Sequence, residues 1–230
     1  MYKSKLNLIE TEKGIKIVKD YFEKALANEL SLMRVSSPLF VKKDSGLNDN
    51  LNGIERPVSF VPNDFNDELE IVHSLAKWKR YALAKYKIPL NQGIYCDMNA
   101  IRKDESLDNI HSLYVDQWDW EKHINRKERT ISYLTETVNE INKVILKTQR
   151  KIILEYPRLS KVFSRKVTFI TSEDLLKKYP NLTQKERETS FSKAHGTIFI
   201  MQIGGRLSNG IPHDLRRSEE HTSELQSHLN

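Results

Sequence analysis

Two segments set the strongest constraint on this chain: IYCDMNAIR (94–102) and HSLYVDQWDWE (111–121), on either side of the polar stretch KDESLDNI. Each is rich in β-branched, aromatic and aliphatic residues, and the spacing predicts two antiparallel strands joined by a loop. Alternation along an extended backbone sends Ser112, Tyr114, Asp116, Trp118 and Trp120 to one face. The other face receives Leu113, Val115, Gln117, Asp119 and Glu121. A strand face that changes from apolar to Gln-Asp-Glu reads as the floor of a polar pocket, because buried acids are costly unless they meet donors or a metal.

The remaining elements follow from period and punctuation. Residues 12–30 read as a helix with Ile15, Val18, Phe22, Ala25 and Leu26 on one stripe. Pro38 stops any helical continuation through LMRVSSPLF. KKDSGLNDNLNG reads as a surface loop. VSFV (58–61) and ELEIVH (68–73) predict a hairpin, and 74–86 a helix with Ser74 as its N-cap. A long helix is expected over 128–155, with Leu134, Val138, Ile141, Ile145, Thr148 and Ile152 inward and Pro157 beyond its end. VTFIT (167–171) and TIFIMQIGG (197–205) read as strands, and SEDLLKKY and 184–194 as helices. Strands grouped in hairpins favour an α/β (α+β) fold with a mainly antiparallel sheet flanked by helices.

The 230 residues suffice for one large domain. No apolar run is long enough to span a bilayer, and the N-terminus lacks the apolar core of a secretory signal. The lone cysteine, Cys96, excludes an internal disulfide, fits a reducing cytoplasm and is expected to be a small buried hydrophobe. The net charge of +6 suits nucleic acid or a small anionic substrate. The cations are spread along helices and not massed in one block, which favours the small anion.

Four polar clusters are candidates for chemistry: Asp49-Asn50 in the loop, Lys77 and Lys79 in VHSLAKWKR, Arg102-Lys103-Asp104-Glu105 at a strand end, and Gln117 to Glu121. An arginine at a strand end can grip a phosphate through its planar fork. Each cluster alone is also explained by solvated faces and structural ion pairs.

In this order the clusters resemble a known arrangement. RKDE, a loop and HSLYVDQWDWE are similar to motif 2 of class II aminoacyl-tRNA synthetases, and Gln117-x-Asp119-x-Glu121 is much like the element in the aspartyl and asparaginyl enzymes. With NDNLNG, VHSLAKWKRYAL, TSEDLLKKYPNL and IGGRLSNG-x-x-HD, residues 5–216 resemble the asparagine synthetase A family, the ammonia-dependent aspartate–ammonia ligases. The helix 12–30 with SLMRVSSPLF looks like motif 1, which implies a homodimer interface.

The resemblance implies ATP and Mg²⁺ as cofactors, L-aspartate and ammonia as substrates, and no nucleic-acid partner. Arg102 would bind the α-phosphate, at about 1.5–3 kcal/mol per charge-assisted bond. Lys79 would hold the β-carboxylate of aspartate. Ser74, Ser112, Gln117 and Asp119 would bind the rest of the amino acid, with Asp119 accepting from its ammonium. Asp49 would meet ammonia or the product amide, and Asp104 or Glu105 the adenine. The metal ligands stay unassigned. An aspartyl- or asparaginyl-tRNA synthetase-like protein, or a non-catalytic paralogue, remains an alternative. Family members continue past Asp214-Leu215 into a further acidic segment and motif 3. Residues 1–216 are therefore expected to be the N-terminal part of a single catalytic domain, incomplete at its C-terminus and inactive alone. RSEEHTSELQSHLN (217–230) has no strand or helix period and is expected to be a non-native tail.

Overall fold

The computed structural model describes residues 3–49, 51, 55–108 and 111–214. Asn50, two further residues of NDNLNG (Asn52 and Gly53), Ile54 and the expected tail at 217–230 lie outside the described residues. Backbone contacts divide the chain into two compact units, residues 20–137 and residues 1–19 with 138–230.

Helix α1 (Leu8–Leu30) opens with a reciprocal cap. The Glu10 amide donates to Asn7 Oδ1, and the Asn7 amide to Glu10 Oε2, both at 2.9 Å. In the unit of residues 20–137, β1 (Leu32–Arg34), β5 (Gly93–Ile101) and β6 (Tyr114–Lys122) form one sheet in the order β1-β5-β6. The predicted hairpin is β5 against β6, with Cys96 opposite Asp119, Met98 opposite Gln117 and Ile94 opposite Glu121. The Arg102 amide extends that ladder by donating to the Leu113 carbonyl at 2.8 Å. β1 runs parallel to β5, a pairing that the hairpin pattern did not suggest. β2 (Phe40–Lys42), β4 (Leu69–Ile71) and β3 (Ser59–Phe60) form a second sheet, antiparallel throughout, which includes the expected 58–73 hairpin.

Helix α2 (Ala76–Lys85) covers one face of β5. Leu75, Trp78 and Ala82 pack there with Ile94, Cys96, Met98 and Ala100, joined by Val35, Val41, Val72 and Ile88. The opposite face meets α1: the Trp118 ring stands edge-on to Phe22 at 5.7 Å, and the Tyr95 hydroxyl donates to Glu23 at 2.9 Å. Gly93 is required where β5 starts. A Cβ there would lie 2.3 Å from the Glu121 carbonyl oxygen and 2.6 Å from a Leu32 methyl.

Two expectations are corrected. Ser74 is not the N-cap of α2; Leu75 is, without a side-chain bond, and the Ser74 hydroxyl accepts from the Ala76 amide at 3.2 Å. In α3 (Ile131–Glu155) the deeply buried positions are Asn142, Val144 and Thr148, so only Thr148 of the apolar stripe is deeply buried and Leu134 is exposed. Asn142 can be buried because its amide donates to the Ser164 and Arg165 carbonyls at 3.2 and 3.1 Å.

The second unit carries β7 (Thr168–Thr171), α4 (Ser172–Lys178), α5 (Gln184–His195) and β8 (Ile198–Met201). β7 and β8 pair in parallel, not as a hairpin, because the two helices carry the chain back. Thr183 and Glu186 form a capping box on α5.

Candidate functional site

Helix α2 and the β5–β6 ribbon bring the first candidates together. Lys79 leaves the buried side of α2, and its ammonium donates to Asp119 Oδ1 at 2.7 Å and to the Trp120 carbonyl at 2.9 Å. Glu121 Oε2 lies 3.5 Å from the same nitrogen. The Lys79 side chain is 6% exposed, Asp119 17% and Glu121 24%, so one sequestered cation serves two carboxylates near the surface. This explains how this face of the strand tolerates Asp119 and Glu121: both meet the ammonium that α2 delivers.

Cross-strand partners project to the same side of a ribbon, so the ladder fixes which groups share this face. Asp119 and Glu121 lie with Cys96 and Ile94, Gln117 with Met98, and Leu113 with Arg102. Gln117 is exposed on that face. The Asp119 and Leu113 backbone positions are about 20 Å apart along the strand at ordinary rise. Lys79 with Asp119 therefore marks one end of a track, Gln117 its middle and Arg102 its far end. Arg102 is under-partnered: its Nε is buried without a hydrogen bond, and its terminal nitrogen stands 4.0 Å from Glu105 Oε2. Such a guanidinium fits an arriving phosphate.

Asp49 is half-buried beside Asn48, which sequence reasoning passed over. Asn48 is buried, with its Nδ2 donating to Glu70 Oε2 at 3.1 Å and its Oδ1 accepting from the His73 amide at 2.9 Å. The Lys77 ammonium donates to the Asn48 carbonyl at 3.3 Å. Thus Lys77 ties α2 to the loop bearing Asp49, while Lys79 ties it to β6. Ser74 sits half-buried one turn before Lys77.

Two candidates stand elsewhere. Ser112 precedes the first residue of β6 and is exposed, on the parity opposite to Gln117. Asp104 is engaged by Arg56, which donates from its backbone amide and Nε to Oδ2 at 2.8 and 3.0 Å and from a terminal nitrogen to Oδ1 at 2.7 Å. That guanidinium holds the Asp104 carboxyl far below the ordinary carboxylate range. Burial, with Asp119 nearby, pushes the Cys96 thiol up to about 11 and leaves it a core residue. Among the described residues no cluster of three or more His, Cys, Asp or Glu is arranged to hold a metal. No helix among them is long and apolar enough to cross a membrane. The track carries enough distinct groups to hold a long polar ligand with an ammonium at one end and a phosphate at the other.

Comparison with known proteins fits this geometry. A family model described as aspartate–ammonia ligase matches residues 9–229. The chain belongs to that family. An aspartate–ammonia ligase of Fusobacterium nucleatum is 56% identical over 215 residues, which covers 94% of this chain and 65% of that relative. One from Clostridium tetani is 50% identical over 229 residues, covering 99% of this chain and 67% of the relative. The chain thus spans about two thirds of the length of these ligases, slightly less for the Fusobacterium protein. Among solved structures, asparaginyl-tRNA synthetase of Pyrococcus horikoshii complexed with asparaginyl-adenylate gives a TM-score of 0.58 at 14% identity, over 82% of this chain and 44% of that one. The Entamoeba histolytica asparaginyl-tRNA synthetase complex gives 0.55 at 15% identity, over 86% and 48%. At such identities the likeness is one of fold. The chain has the class II aminoacyl-tRNA synthetase fold.

Proposed function

We propose that the full-length protein makes asparagine from L-aspartate, ammonia and ATP, releasing AMP and diphosphate through β-aspartyl-AMP. The observation that carries the reading is the shared face of the β5–β6 ribbon, where the Lys79–Asp119 pair, Gln117 and Arg102 follow one another. Family membership supplies the reaction, and the fold neighbours are complexes with an aminoacyl-adenylate.

A carboxylate cannot be amidated directly, because oxide would have to leave. The β-carboxylate of aspartate attacks the α-phosphorus of ATP, the bond to the diphosphate oxygen breaks, and diphosphate departs. Arg102 neutralises the charge that grows on the α-phosphate oxygens. The substrate ammonium takes Asp119 as acceptor and Gln117 as a further one. Lys79, released from Asp119 and still near Glu121, turns its ammonium to the β-carboxylate. The Lys79–Asp119 pair thus holds a donor and an acceptor side by side, with which the two ends of the zwitterion exchange. Ammonia then attacks the activated carbonyl carbon, AMP leaves with the bonding electrons, and the excess proton is lost. Asp49 accepts a hydrogen bond from the incoming ammonia. Ser74 lies near this end of the track; Ser112, beyond Arg102 and on the other parity, is left out of the amino-acid site. Glu105, 4.0 Å from Arg102, is the better placed of the two acids for the adenine side. Mg²⁺ would arrive bound to ATP and neutralise charge on the departing diphosphate; no ligands for it are assigned on the protein.

The protein is placed in the cytoplasm, where ATP and a reduced Cys96 are at home. It is read as a homodimer through α1, whose Ile15 and Val18 are 49% and 37% exposed. A full-length protein sedimenting as a monomer would remove the dimer. For the activity, the full-length protein is assayed for asparagine, AMP and diphosphate. Arg102→Ala should abolish diphosphate release. Asp49→Ala should spare adenylate formation more than ammonia transfer. ADP and phosphate as products, or no asparagine from the wild type, would overturn the reading.

A further inference from the structure

The geometry points to Arg56 as a positioning residue that holds, through Asp104, the turn from which Arg102 projects. Three donors from one residue converge on a single carboxylate: the Arg56 amide and Nε on Asp104 Oδ2, at 2.8 and 3.0 Å, and a terminal nitrogen on Oδ1 at 2.7 Å. A surface ion pair between long side chains is normally loose. This one is different, because a two-point fork fixes the plane of the carboxylate and the backbone amide fixes where the fork starts. Pro57 follows Arg56 and restricts its backbone to extended conformations, so the amide and the side chain are pre-aimed together.

The place of the clasp gives it a role. Asp104 stands in the turn that closes β5, where the Glu105 amide donates to the Arg102 carbonyl at 3.1 Å. Holding Asp104 therefore holds the turn from which the Arg102 side chain projects. Because Arg56 and Asp104 are 48 residues apart in sequence, no local turn enforces the contact. The inference rests on the proposed reaction, in which Arg102 serves the adenylation. Its content is that Arg56 fixes the turn behind Arg102, and that Asp104 is bound to the protein and not to the adenine.

The test uses the full-length protein and the variants Arg56→Ala, Arg56→Lys and Asp104→Asn. Loss of the clasp should lower kcat/KM for ATP by on the order of 10- to 100-fold, as small misplacements of a phosphate-binding group do. Arg56→Lys keeps the charge without the fork and should recover only part of the loss. Exchange of the Glu105 amide should quicken in Arg56→Ala and Asp104→Asn, while the β5–β6 ladder amides stay protected. Wild-type kcat/KM for ATP with unchanged Glu105 exchange in both variants would overturn the inference. So would full rescue by lysine, since charge alone would then suffice. If the wild type makes no asparagine, the reaction reading fails instead, and the exchange measurement still decides the clasp.

Discussion

Lys79 concentrates the chemistry of this face in one side chain. It is almost fully buried and serves two acceptor carboxylates and a carbonyl. Removing it would deprive Asp119 and Glu121, neighbours on one face of β6, of the buried ammonium they share. Lys79→Ala is therefore expected to destabilise the protein by about 3 kcal/mol, the usual cost of breaking one side of a buried pair. Urea unfolding measures this, and a loss below about 1 kcal/mol would place the pair in the class of screened surface contacts. At this scale the sequence was partly legible. Strand parity alone puts Gln117, Asp119 and Glu121 on one face. It did not disclose that Lys79 would already be paired with Asp119, because that depends on the distance between α2 and β6. Arg56 carried no signal, since its partner lies on a distant turn. Asn48 looked like loop surface, and only its hydrogen bonds with Glu70, Ile71, His73 and Lys77 explain its burial.

The β5–β6 hairpin is the element that places the site, and its register depends on Gly93. The glycine sits between Leu32 and Lys122 in the sheet, where the flanking backbones come too close for a side chain. Gly93→Ala should cost about 1–3 kcal/mol, because the backbone of a neighbouring strand must move to admit the methyl. Thermal unfolding checks it, and an unchanged midpoint would mean that β5 shifts freely at its start. Alternation and the polar loop made this hairpin readable in advance. The parallel pairings β1–β5 and β7–β8 were not, because short strands of three or four residues carry no pattern that separates parallel from antiparallel neighbours. Periodicity also misjudged α3, since it counts apolar positions and Asn142 is buried through its amide bonds.

Taken as a whole, the molecule should be sensitive to alkali through its core. Burial raises Tyr95 from the ordinary 10.0 to about 12, with Glu23 adding to the shift, and raises Cys96 from 9.0 to about 11. Both groups are neutral when protonated, and the folded state keeps its proton to higher pH than the unfolded chain does. Their contribution is intact below about pH 9 and is lost as the pH climbs to 11 and 12. Urea midpoints measured from pH 8 to 11 should fall with rising pH, and Cys96→Ser should flatten the first part of that fall. A flat profile in the wild type would show that neither group is protected.

Helix α2 has one property that reaches beyond its own packing. Lys77 and Lys79 leave it about 200° apart, at some 100° per residue, one toward the Asn48 carbonyl and the other toward Asp119. A quarter-turn roll or a one-residue slip of this short rod would therefore disturb the loop and the strand together. Insertions or deletions between Leu75 and Lys79 should be scarcer among working relatives than changes of side chain at the solvent-facing Arg80, because the helix acts as a gauge read at both ends.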